Sequence, residues 1–93
     1  ASRVYQVFRQ YISEPPQYSY KYMESRWGSC NPSKIKLNIN KNLIKYDTEL
    51  IEFVFYHEFT HFIYPDHSKK FYNFMSMVLP DHMERRKRLN GKG

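Results

Sequence analysis

Between Phe53 and Ile63 the chain reads Phe-Val-Phe-Tyr-His-Glu-Phe-Thr-His-Phe-Ile, apolar on nearly every face of a helix rather than along one stripe. Such a helix must be covered on all sides, so it predicts a buried central helix with the rest of the chain packed round it. His57, Glu58, Thr60 and His61 are its only strongly polar members, and buried imidazoles and carboxylates are costly unless something satisfies them. Residues four apart on a helix differ by about 40° around its axis, so His57 and His61 project from one face and can grip one metal ion. Glu58, offset by one residue, places its carboxylate beside that ion, where a general base acting on a metal-held water belongs. His67 follows the pair closely enough to close the set as a third ligand. Three protein ligands with one position left open make a catalytic site, not a structural one.

These residues could instead be ordinary core histidines. Three of the four histidines, however, fall within eleven positions, in the helical context that His-Glu-x-x-His requires, and this favours the metal. One zinc ion is the expected cofactor, held by His57, His61 and His67, with Glu58 as catalytic base.

Length and composition bound the rest. At 93 residues the chain predicts a single small domain over 1–93, with a modest core. Aromatic residues make up 18% of it, and large rings bury much area per residue, which helps so short a chain build that core. No apolar run reaches the roughly 18 residues of a membrane span, and no signal-peptide pattern opens the chain. A single cysteine excludes an internal disulfide framework and suits a reducing compartment. The expectation is a cytoplasmic protein with no membrane partner and an oligomeric state that composition leaves open. The first residues are Ala-Ser rather than Met, which suggests a piece excised from a longer protein.

Net charge is +6, and residues 81–93 carry five basic and two acidic side chains. Arg85, Arg86, Lys87 and Arg88 form the densest run. A solvated helix face is the plain explanation, and contact with nucleic acid or a phosphorylated substrate is the alternative.

Along the chain, Val4, Val7, Phe8, Tyr11 and Ile12 keep helical spacing, which predicts an amphipathic helix over 2–13, ended by Pro15-Pro16. Tyr18, Tyr20 and Tyr22 alternate with polar residues, as do Ile35, Leu37 and Ile39, which predicts two half-exposed strands. Gly28 to Ser33 is turn chemistry, so the two strands should form a hairpin over 18–40 that packs on the metal helix, its second strand flanking the cleft. Asp47 is a plausible N-cap for that helix, which runs from about 48 to 63 and must end before Pro65. Ser68 caps a further helix whose Phe71, Phe74, Met75, Val78 and Leu79 form one core stripe. After Pro80, Asp81 and Glu84 make a capping-box pattern for a last short helix. The order is helix, hairpin, then three helices, an α+β fold.

Ser25-Arg26-Trp27-Gly28-Ser29-Cys30, then Ile35-Lys36-Leu37-Asn38, then His57-Glu58-Phe59-Thr60-His61 and Asp66-His67-Ser68 with Phe71-Tyr72 together resemble the YgjP-like metallopeptidase family. These are small zincins akin to the SprT-like and Wss1-like proteases, and the resemblance covers roughly residues 22 to 90. It implies a zincin-like fold, a zinc-dependent peptidase activity, His57, His61 and His67 as ligands, and Glu58 as base. Phe59, Asp66 and Tyr72 stand where the family usually has Leu, Asn and Trp. Family members are usually longer, with strands before this region, so a truncated catalytic core is expected. The metzincin proteases share the interval between the histidines but need Gly where this chain has Tyr64, and a bulky residue tolerates that left-handed turn poorly.

Other side chains are candidates for supporting roles. Asp66 would orient a ligand histidine or cap a turn. Tyr64, Tyr72 and His82 are rivals for stabilising a developing oxyanion, with His82 expected on the surface at a helix start. Cys30 reads as a small buried hydrophobe, with a fourth, latency-conferring zinc ligand as the alternative. Trp27 reads as core or cleft wall. The expected function is a zinc metallopeptidase acting on peptide or protein substrates. The alternatives are a nucleic-acid-associated protease or DNA-binding module using Arg85 to Arg88, and a metal-dependent nucleotide phosphoanhydride hydrolase.

Overall fold

Helix α2 (Thr48–Thr60) carries the all-round apolar segment, and the other elements cover it. The structure, a computed structural model, describes residues 2–92. In chain order the elements are α1 (Ser2–Phe8), β1 (Gln17–Lys21), β2 (Gly28–Asn31), β3 (Lys36–Asn40), α2, α3 (Lys69–Val78) and α4 (His82–Lys92). Helices α1, α3 and α4 and strands β2 and β3 all pack against α2, giving the expected α+β architecture. Leu50 and Phe59 of α2 are fully buried against Phe8 of α1, Leu37 of β3, Phe71 of α3 and Leu89 of α4. Each such side chain contributes roughly 1.5–3 kcal/mol by burial, so α2 is held from every side.

The sheet differs from the expected hairpin. Strand order is β1-β3-β2, with β1 parallel to β3 (Tyr18 opposite Leu37) and β2 antiparallel to it (Cys30 opposite Leu37). The two alternating runs are therefore neighbours, but they run the same way and cannot be joined by a tight turn. The hairpin is made by β2 and β3, and residues 28–31, expected as a turn, form an edge strand. Its actual turn is Pro32–Lys34, closed by Asn31 Oδ1 accepting from Lys34 N at 3.2 Å. Ile35 leaves this turn at φ 50°, ψ 57°, a left-handed conformation disfavoured for a β-branched residue. Buried Asn40 fixes the start of β2. Its Nδ2 donates to the carbonyls of Met23 (2.9 Å) and Arg26 (2.7 Å), and its own amide donates to Trp27 O at 2.9 Å.

Three helix ends also differ. Helix α1 closes early because the amides of Tyr11 and Ile12 both turn back to Phe8 O, although Ile12 still reaches the core. Asp47 stands at the N-cap of α2 without capping it through its side chain; its carboxylate accepts from Arg88 Nη2 at 3.2 Å. The Asp81 carboxylate is likewise engaged by Arg85 Nε, at 3.0 Å to both oxygens. Ser68 does cap α3, accepting from Phe71 N at 3.4 Å.

Candidate metal centre

The last turn of α2 and the chain reversal after it bring His57, His61 and His67 together. Their ligand-capable atoms all lie within 4.8 Å of one another, and His57 Nε2 is 3.1 Å from His67 Nε2. Two nitrogens ~2.0–2.1 Å from one zinc at a tetrahedral angle stand ~3.3 Å apart, so the spacing suits a shared ion. Phe71, fully buried, backs all three rings, with centroids 5.0, 4.7 and 5.0 Å from those of His57, His61 and His67. For His57 and His61 that apolar backing favours neutral imidazole, the ligating form. Burial first, then the neighbouring imidazoles, push the His57 pKa down to about 3. Burial also lowers that of His61, partly offset by its bond to the Tyr64 carbonyl. This bond, 3.2 Å from His61 Nδ1, places the proton on Nδ1 and leaves Nε2 free to coordinate. The donor set and its protonation fit a zinc-type ion.

Glu58 lies beside the triad, 7% exposed, with its pKa raised to about 7 by burial, which Arg26 opposes in part. Strand β2 passes so close that any side chain at Gly28 would crowd the site. A Cβ at that position would stand 3.1 Å from Glu58 Cγ, Val54 Cγ1 and Asn38 O. Glu58 and the histidines form the floor of a cleft with two halves, one of ≈ 500 Å³ beside Arg26, Ser29 and Cys30, the other of ≈ 230 Å³ beside Trp27, Tyr72 and Arg86. The strand flanking this cleft is thus β2, not β3 as expected.

A family model for the YgjP-like metallopeptidase domain matches residues 1–92. The chain belongs to the YgjP-like metallopeptidase family. Such a family acts on peptide substrates with the help of a metal ion, and the histidine triad supplies a place for one. Among solved structures, the fold is similar to the metallopeptidase zymogen of Methanocaldococcus jannaschii jannalysin, with a TM-score of 0.79 and 23% identity over 98% of this chain and 93% of that one. The search of curated proteins found no match. Among the described residues, no helix is long and apolar enough to cross a membrane.

Against this YgjP-like frame, the remaining candidates separate. The Tyr72 ring stacks 6.1 Å from that of His67 and lines the smaller half of the cleft. Tyr64 turns its ring to Phe74, 6.0 Å away, and meets the site only through its carbonyl. His82 is not on the surface: it is 3% exposed, its Nε2 is 3.1 Å from Ser76 Oγ, and its ring stacks 6.3 Å from that of Tyr72. Sequence placed it at a helix start, and the docking of that start against α3 is what buries it. Asp66 is exposed and acts on His61 through its charge. Cys30 stands in the cleft wall outside the converging ligand group, its thiol pushed up to about 12 by burial and by Glu58.

The basic run divides. Arg85 meets Asp81, Glu52 and the Glu49 carbonyl, and Arg88 meets Glu49 at 2.7 Å and Asp47 at 3.2 Å. Arg86 and Lys87 are exposed, with Arg86 on the cleft side. Arg26, Phe71 and Arg86 were not anticipated as cleft residues. The periodicity of α4 places Arg86, Leu89 and Asn90 on one face with His82, and that was the available signal.

Proposed function

We propose that this chain is a zinc-dependent metallopeptidase that hydrolyses peptide bonds with Glu58 as proton shuttle. The observation that carries this reading is a triad of converging imidazole nitrogens beside one desolvated carboxylate, all facing one cleft. A single zinc ion held by His57, His61 and His67 would serve there as a Lewis acid, polarising the scissile carbonyl and acidifying water. Glu58, with its pKa near 7, is matched to accept a proton from the attacking water at neutral pH and hand it to the departing amine. His61 is held in its tautomer by Tyr64 O. Edge strand β2 pairs only with β3 among the described residues, and its free side can take an extended peptide as an added strand, through main-chain bonds. Tyr72 is better placed than Tyr64 to donate to a developing oxyanion, because its ring lines the cleft and that of Tyr64 does not.

The test is Glu58→Gln. The amide keeps the size and shape of the carboxylate, so zinc content should stay at the parent's level while peptide cleavage is lost. Equal cleavage at equal zinc occupancy would remove Glu58 from the base role. Phosphoanhydride hydrolysis has no support from a phosphate-cradling loop, since the three glycines are Gly28, Gly91 and Gly93.

A further inference from the structure

Arg85, Arg86 and Arg88 of α4 point in different directions and have different fates. Arg85 and Arg88 are spent on the N-terminal end of α2. Arg86 turns into the ≈ 230 Å³ half of the cleft, beside Trp27, Tyr72 and Asn90 and across from His57 and Glu58. Among the described residues no carboxylate lies within ion-pair distance of it. Arg26, in the other half, is in the same position. Among the described residues, Glu58 is the only carboxylate lining either half. The cleft therefore carries unneutralised positive charge on both sides of its reactive centre.

We propose that Arg86 is a specificity-determining residue that receives a carboxylate of the substrate, so that the cleft selects acidic peptides. This rests on the peptidase reading of the site. A guanidinium offers a planar fork of donors that matches a carboxylate with two bonds. Asn90, one turn along the same helix face, adds an amide. Trp27 and Tyr72 wall the pocket with aromatic surface, against which the apolar stem of an entering side chain can pack. The volume equals roughly that of seven or eight waters, room for one side chain or a chain terminus. A lysine or arginine entering there would meet Arg86. The net charge of +6 draws acidic chains toward the cleft before contact. The carboxylate can belong to an Asp or Glu side chain or to the C-terminus of the peptide, and the two are separable by experiment.

The measurement uses the full chain carrying Glu58→Gln, zinc-loaded, so that bound peptide survives. Fluorescent peptides, acetylated and amidated, carry Glu, Gln or Lys scanned across their positions, and the Gln peptide is also made with a free C-terminus. Fluorescence anisotropy should show the Glu peptide at its best position, or the free-carboxylate peptide, binding roughly 10- to 100-fold tighter than the neutral one. Arg86→Gln should erase that ratio, Arg86→Lys should restore part of it, and Arg86→Glu should invert it toward the Lys peptide. A merely structural Arg86 would weaken all peptides alike. The same substitution in the otherwise unaltered chain should raise KM for acidic substrates and leave kcat nearly unchanged. Equal binding of Glu and Gln peptides, an acidic preference surviving Arg86→Gln, or no binding of any peptide overturns the proposal. Carboxylate binding that depends on Arg86, with no cleavage of any peptide by the zinc-loaded parent, upholds it and overturns the peptidase reading instead.

Discussion

At the N-terminal end of α2, Asp47, Glu49 and Glu52 each meet an arginine from elsewhere in the chain. At the other end, one helix length away, His57, Glu58 and His61 are more deeply enclosed, and among the described residues Glu58 has no cation within ion-pair distance. The N-terminal end is neutralised throughout, at the half-buried Arg85–Glu52 pair as well as at the more open Arg88 pairs. At the buried end, enclosure instead favours the neutral forms of His57, His61 and Glu58. Titratable groups enclosed without an ion-pair partner are poised for an external one, and this is why the second end reads as a site and the first as a clamp.

The sharpest way to break this comparison is to remove the base. Loss of a general base typically costs ~10² to 10⁴ in rate, so Glu58→Gln should cut kcat/KM by that factor in a zinc-loaded peptide assay. The next largest effect is on the ion. Disturbing groups that merely orient a ligand often costs 10–100-fold in metal affinity, so His67→Ala should lose more than ~100-fold in competition with a chelating dye. Far-ultraviolet circular dichroism should be unchanged, since His67 lies outside α2 and α3.

The third prediction reverses the usual sign of a mutation. Burial raises the Glu58 pKa from the ordinary 4.5 to about 7, so the folded chain holds a proton that the unfolded chain has released between those values. Stability is therefore fully present below pH 4.5 and falls as pH rises through 7. Glu58→Gln has no such loss. In the metal-free protein it should be more stable than the parent by up to ~3 kcal/mol above pH 7, with the gain gone near pH 4.5. Urea unfolding at the two pH values checks this, and a gain that persists at acid pH would mean that packing, not charge, is responsible. The smallest effects belong to the clamp. Arg85, with its side chain 15% exposed and three partners, should cost ~1–2 kcal/mol on replacement by Ala. Arg88→Ala should shift the melting temperature less, because its partners are open to water.

The same contrast explains what could be read from sequence. The buried helix, its His-Glu-x-x-His face, His67, the Ser68 cap and the apolar stripe of α3 rest on local spacing, which the fold keeps. The sheet was harder. Alternation identifies a strand and says nothing about its partner, so β1 and β3 were paired in the wrong sense. Gly28-Ser29-Cys30-Asn31 has the composition of a turn because its small residues serve another end: Gly28 lets β2 approach Glu58. His82 and Arg86 failed for one reason. Their surroundings are supplied by α2, α3 and the start of β2; the periodicity of α4 puts them on one face but does not say what that face docks against.

The strand order also has a consequence in time. Strand β3 is last in sequence and central in space, so neither edge has a partner until residues 36–40 are available. Pairing β2 closes the loop 32–35, whereas pairing β1 closes the loop 22–35. The longer closure costs about 1 kcal/mol more in chain entropy. The cleft edge should therefore form before the far edge, and pulse-labelled hydrogen exchange should protect β2 and β3 ahead of β1. A chain emerging N-terminus first would then carry β1, with its three neighbouring tyrosines, unpaired for longest, and would complete its catalytic wall before its sheet.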